Sequence, residues 1–427
     1  MLLRAEGRLI AGLAALGIAA VLIGAHRSPA NPSLDDPVDR LAARIDRGEV
    51  ELTFDAARGW LPSLLGALDV SVESQILVFS RTSLQTDLIS PWTPRALYFG
   101  DDVYVGWVPD SPIVEIAVVD PEGAAAFYTL AQDPERPPTF RRESTTCLMC
   151  HESRAVTGGV PGFIVRSVLT DRFGYPVVPL HEGSTTDRTD FELRFGGYYV
   201  TGSHGTPGHA GNVYAPVRSH EVVDPERTLH DVDLRAGGGA LQLDDRFDLA
   251  PYPSPHSDLV ALMVLTHQAH VHNLIAAARA AGAEARRLES LGGQLPPSTR
   301  QRNDGAVERL LRAMLFVDEA PLHGPVRGTS GFAERFEARG PFDAEGRSLR
   351  TLDLETRLFR YRLSFLVHSD AFQTLPESAR SRFYRRLDAV LRGEDPGAEW
   401  SHLGEEERRT LGEILADTEP EFAALRR

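Results

Sequence analysis

The sequence predicts an α+β fold, with a β-rich N-terminal part, a loop-rich middle and an α-helical C-terminal part. Three observations carry that expectation. Short β-branched or aromatic runs follow one another between about Gln75 and Leu130, residues 157–256 are crowded with Gly, Pro, Asp and His, and from Ser257 onward apolar residues recur at helical spacing.

Residues 1–30 come first. Arg4 and Arg8 precede an apolar run from Leu9 to Ala25, and the break Arg27-Ser28-Pro29-Ala30 follows. A basic start, a hydrophobic stretch and small residues at Ser28 and Ala30 read as a secretory signal cut near Ala30. The same run is near the lower limit for crossing a bilayer, so an uncleaved anchor in the inner membrane is the other reading. With Arg4 and Arg8 kept inside, both versions export the remainder. Residues 29–38 then read as a linker full of helix breakers.

The β-rich region, 31–140, holds the runs Ile76-Leu77-Val78-Phe79, Ala96-Leu97-Tyr98-Phe99, Val103 to Val108 and Ile113 to Val119. Gly100-Asp101-Asp102 and Pro109-Asp110-Ser111-Pro112 separate them as turns. The loop-rich region, 141–256, opens with a short helix capped near Thr145 or Thr146. In the helical region, 257–427, Ser257 is the expected N-cap of a helix from Asp258 to Ala281, with Gly282 as its stop. Further helices are expected near 304–317, 353–368, 378–392 and 404–416. At this length two lobes are expected.

The 427 residues carry a formal charge of −15, which becomes −17 if residues 1–30 leave, because three Arg and one Glu leave with them. So acidic a protein, without a basic run, is not expected to bind nucleic acid. No lysine occurs anywhere, which excludes Schiff-base chemistry and a lysine metal ligand.

Both cysteines fall in one string, Cys147-Leu148-Met149-Cys150-His151. This C-x-x-C-H pattern resembles the attachment site of the c-type cytochromes, residue by residue at Cys147, Cys150 and His151 and nowhere else in the chain. The resemblance implies one covalent haem c per chain, held by thioethers to Cys147 and Cys150, with His151 as the proximal ligand of the iron. It also implies the periplasmic side of the membrane, in agreement with the N-terminal segment. The chain is several times longer than the small c-type cytochromes and is similar to the large single-motif haem proteins of bacteria. Arg154 and Arg166 are candidate partners for the propionates.

Two other readings of the cysteine pair exist. A redox dithiol needs the pair to open a helix after a strand, whereas residues 132–138 read as a loop. A zinc site needs histidines to complete a tetrahedron, because no second C-x-x-C is present.

The second axial position of a haem iron decides between electron transfer and small-molecule chemistry. Met263 and Met314 lie in apolar helical runs, where a core role is the default. His204 and His209 sit among glycines in Gly202-Ser203-His204-Gly205-Thr206-Pro207-Gly208-His209, and glycine lets backbone approach a flat ring. On the helix from Asp258, His267 and His270 are about 60° apart, while His272 lies about 140° round from His267 and cannot serve the same site. That helix is apolar on nearly every side and hence buried, so its histidines need hydrogen bonds or a ligand role. His267 is the first candidate for a distal ligand, followed by His204 and His209, with His272 the weakest. A pair drawn from these four is also the candidate site of a second metal or a non-covalent haem.

The leading functional expectation is an exported c-type cytochrome that passes single electrons to a periplasmic or membrane redox partner. The alternative is a haem enzyme, peroxidase-like or acting on another small oxidant, with His204, His209 or His267 as a distal acid–base residue. A haem-free dithiol or zinc protein is the third.

Overall fold

A seven-stranded antiparallel sheet forms the middle of three layers, and the alternation of side chains along its strands explains why. The computed structural model describes residues 36–427 except 121–123, 154–155, 207, 218–223 and 292–293. The segment 1–30 read as a signal or anchor, most of the linker 29–38, and Arg154 lie outside the described residues.

Asp36 opens the described chain as the N-cap of helix α1 (Pro37–Asp46), its carboxylate accepting from the N–H groups of Val38 and Asp39. Pro37 sits in the first turn, where its missing N–H costs nothing, so the breaker-rich stretch ends as a helix start. Helix α2 (Leu61–Ala67) follows. Strands β1 (Ile76–Val78), β2 (Arg95–Phe99), β3 (Val103–Trp107), β4 (Ile113–Val119), β5 (Ala125–Ala131) and β6 (Phe140–Arg142) then pair with their chain neighbours as a meander. After the short helix α3 (Leu148–His151) and the separate hairpin β7 (Val168–Thr170) and β8 (Pro176–Pro179), strand β9 (Tyr198–Tyr199) returns to pair with β1.

Every second residue of the meander points to the same side. Leu77, Tyr98, Val105, Ile116, Ala126 and Tyr128 pack with Val38 and Leu41 of α1 and Leu61, Leu64 and Leu65 of α2. Their neighbours Ile76, Phe99, Val119 and Phe127 join the larger core built on the C-terminal helices. Both faces are covered, which is why the strands read as nearly continuous apolar runs.

The described residues belong to one compact unit rather than the two lobes expected. The reason is a single long helix. After α4 (Pro225–His230), helix α5 (Leu259–Ser290) is buried at every position from Leu259 to Asn273 except His270, and it contributes to the same core as the sheet. Its N-cap is Asp258 rather than Ser257. One Asp258 oxygen accepts from the N–H groups of Val260 and Ala261, and the other from those of Thr329 and Ser330. A hydroxyl has no second oxygen for such a tie, and Ser257 instead donates to the Tyr199 carbonyl. The helix also runs through Gly282, which is buried, because packing outweighs the roughly 1 kcal/mol that glycine costs in a helix.

Helix α6 (Pro297–Met314) starts before the expected 304, at a proline suited to the first turn, and ends where Phe316 turns left-handed. Helices α7 (Phe332–Glu337), α8 (Asp370–Gln373), α9 (Glu377–Leu391), α10 (Glu405–Thr418) and α11 (Pro420–Leu425) complete the helical layer. The helix expected over 353–368 does not form. The Asp353 carboxylate takes the N–H groups of Glu355, Thr356 and Arg357, Leu354 adopts φ 59°, and the chain reverses so that Leu354 N–H meets the Arg357 carbonyl. Only a 3-10 turn, Phe365–His368, remains there, capped by Ser364.

Candidate haem-attachment site and the buried histidines

The C-x-x-C-H string is a single helical turn. Cys147, not Thr145 or Thr146, is the residue at its N-terminal boundary, and the His151 N–H donates back to the Cys147 carbonyl at 3.0 Å. Helical spacing places Cys147, Cys150 and His151 on one face, since residues three and four apart are neighbours. Both thiols are free, Cys150 is exposed and Met149 keeps 76% of its surface in solvent. Cys147 is half-buried against the large core.

His151 and Gly162 grip each other. The Gly162 N–H donates to the His151 carbonyl, and the His151 Nδ1 lies 2.9 Å from the Gly162 carbonyl. A carbonyl can only accept, so Nδ1 carries the proton and Nε2 presents its lone pair. Burial holds the imidazole pKa below its ordinary value, which favours the neutral form that a metal needs. The ring packs on Phe127 of β5 at 4.6 Å. These residues fit a haem c: two thiols in one turn, followed by an imidazole whose Nε2 has no hydrogen-bond partner among the described residues.

Burial, with Glu115 and Glu143 nearby, pushes the Cys147 thiol up to about 11. A redox dithiol needs the opposite, a thiolate stabilised near neutral pH. Arg95 and Glu115 form an ion pair beside the motif, on the same face of the sheet as Phe127. The guanidinium passes over Gly106 of β3, where any Cβ would collide with it.

The structure separates the histidines of α5. His267 is fully buried, with Nδ1 3.3 Å from Asp187 and Nε2 2.8 Å from the Ser364 hydroxyl, and its ring stacks on Phe316. Asp187 also takes the Nδ1 of His270 at 3.4 Å. Burial alone would raise the Asp187 pKa, but these two histidines hold it far below the usual carboxylate range. Ser364, His267 and Asp187 are joined in the order of a nucleophile, base and acid. Ser364 and His267 have no exposed surface, however, and the hydroxyl caps a 3-10 turn, so the arrangement is a core network rather than a hydrolytic centre. Glu319 stands near Asp187 and Arg194, and burial pushes its carboxyl up to about 7.

His272 faces the other way. Its Nδ1 is 2.8 Å from the Tyr104 hydroxyl, its Nε2 is buried without a hydrogen bond 3.5 Å from Asp102, and its ring lies 5.7 Å from Phe163, the residue after Gly162. Among the α5 histidines it is therefore His272, the weakest candidate by sequence, that approaches the segment holding His151. The first candidate, His267, has both nitrogens engaged by protein groups.

His204 and His209 do come together, with rings 4.8 Å apart. His204 donates from Nδ1 to the Gly205 carbonyl, and its Nε2 is buried without a partner. His209 accepts at Nδ1 from the Gly211 N–H, and burial, reinforced by His204, pushes its pKa down to about 3. Among the described residues no cluster of three or more His, Cys, Asp or Glu is arranged to hold a metal ion. Met263 and Met314 are core residues.

No known protein family, curated protein or solved structure matches the chain. Sequence reasoning missed Asp187, Ser364, Gly162, Asn273, Arg95 and Glu115. Strand alternation would have put Arg95 and Glu115 on the same face; the others meet their partners only through long-range folding.

Proposed function

We propose that the protein is an exported c-type cytochrome with one covalent haem, passing single electrons to a periplasmic or membrane redox partner. The observation that carries the proposal is the reciprocal bonding of His151 and Gly162 directly after two free thiols in one helical turn. Cys147 and Cys150 would hold the haem and His151 would ligate its iron. When bound, haem c supplies a one-electron ferrous–ferric couple.

The chain's own groups set the conditions for that couple. The Nδ1–H bond to Gly162 makes the imidazole a stronger donor and fixes its orientation. Phe127 and the core side of Cys147 keep one side of the motif dry, while Met149 and Cys150 keep the other open to an approaching partner.

The test is a pyridine haemochrome and iron count on full-length protein exported from a host with haem-ligation machinery. One haem c per chain is expected, with loss of covalent haem in Cys147→Ala. A spectrum unchanged by carbon monoxide would support electron transfer, and a changed one would favour the enzyme reading. Secreted wild-type protein that is colourless and lacks any added mass would refute the proposal.

A further inference from the structure

We infer that Asn273, on helix α5, is a positioning residue for the His151 imidazole, acting through the backbone of Gly162 and Phe163. The inference rests on the haem reading for its redox consequence but not for its geometry.

Residues 161–163 are tied at three points. The Pro161 carbonyl accepts from the N–H of Ala125 on β5 at 3.0 Å. Gly162 exchanges two hydrogen bonds with His151, one through the side chain. Phe163 then exchanges two with Asn273. Its N–H donates to Oδ1 at 2.8 Å, and its carbonyl accepts from Nδ2 at 2.8 Å. The primary amide is the only side-chain type of this length that can donate to the carbonyl and accept from the N–H of one residue in this way. Asn273 and Phe163 are both buried, at 9% and 7% exposure, so neither bond is exchanged cheaply with water.

Gly162 has its own part in this. A Cβ built there would stand 2.5 Å from the Asn273 Oδ1 and 3.1 Å from the Thr157 Cβ. The amide therefore occupies the space that any side chain at 162 would need. Because the Gly162 carbonyl belongs to the peptide that also carries the Phe163 N–H, Asn273 pulls on one end of a peptide whose other end holds His151 Nδ1. Rotation of that peptide breaks both bonds together. The rigid, buried first half of α5 is thus the reference that sets the direction of the imidazole and the strength of its Nδ1–H bond.

A weakened Nδ1–H bond makes imidazole a poorer electron donor and disfavours the ferric state, so the midpoint potential rises. The experiment compares full-length wild type with Asn273→Leu, similar in size and unable to hydrogen-bond, and with Gly162→Ala, which presses on the amide from the other side. Two readouts are taken. In exported holoprotein, both variants are expected to keep one covalent haem and show a positive shift in midpoint potential. In full-length haem-free protein (Cys147→Ser, Cys150→Ser) with ¹⁵N-histidine, His151 is expected to be Nδ1-protonated with Asn273 present and a tautomer mixture in Asn273→Leu. An unchanged potential with an unchanged His151 tautomer in folded variants overturns the inference. If Asn273→Leu does not fold, Gly162→Ala decides by the same two readouts, and should that also fail, Asn273→Asp, which keeps the acceptor and loses the donor, takes its place. Wild type that never attaches haem removes the function proposed above, while the tautomer measurement still judges the role of Asn273.

Discussion

Replacing Glu319 by Gln should stabilise the protein at alkaline pH and do little under mild acid. Glu319 is half-buried near Asp187, and desolvation pushes its carboxyl up to about 7 from an ordinary 4.5. The folded state therefore holds a proton that the unfolded chain has already released between about pH 4.5 and 7. Stability falls as pH rises through that window, opposite in sign to a salt-bridged aspartate. At about 1.36 kcal/mol per pH unit, the gap corresponds to about 3 kcal/mol of penalty above pH 7. Gln keeps an oxygen for the Leu358 N–H, which Glu319 now accepts at 3.0 Å, and carries no charge to desolvate. Urea unfolding followed by tryptophan fluorescence at pH 5 and pH 8 measures the effect. Glu319→Gln is expected to gain up to about 3 kcal/mol at pH 8 and less than about 1 kcal/mol at pH 5. An equal gain at both pH values, or none at pH 8, would show that Glu319 is not a desolvated, proton-holding carboxyl.

Two further outcomes follow from the same physics. Asp258→Ala removes the acceptor for four backbone N–H groups and the Ser330 hydroxyl at the start of α5, and a loss of about 3–5 kcal/mol is expected in the same urea assay. A loss under 1 kcal/mol would mean that α5 is anchored by packing alone. His209, with its pKa near 3 in the folded state, makes the unfolded chain take up a proton first as pH falls below about 6.5, so stability should decline from there towards pH 3. His209→Gln should make that decline shallower between pH 6 and 4, and an unaltered slope would contradict the burial argument.

The α+β class was legible because strands and helices here follow local rules. Runs such as Ile113–Val119 are rich in β-branched residues, and α9 and α10 lie within two residues of where their periodicity places them. The angular separation of His267 and His272 was legible too, since helix geometry alone sets it. What escaped was decided by distant partners. Asp353 trades a helix for a turn by spending its side chain on three backbone N–H groups, a choice that the apolar spacing of 353–368 hides. Asp258 outcompetes Ser257 because Thr329 and Ser330 arrive beside it. The link from Asn273 to Phe163 spans 110 residues and leaves no periodic mark.

The two margins of the main sheet are both very short. β6 has three residues, two of them arginines committed to Glu143 and Asp120, and β9 has two. A chain that approaches either rim finds few open backbone groups and, at one of them, fixed cations. The broad apolar interior of a seven-stranded sheet is thereby sealed against lateral growth, and polymerisation by strand addition should stay negligible even at concentrations where an unprotected meander would build fibres.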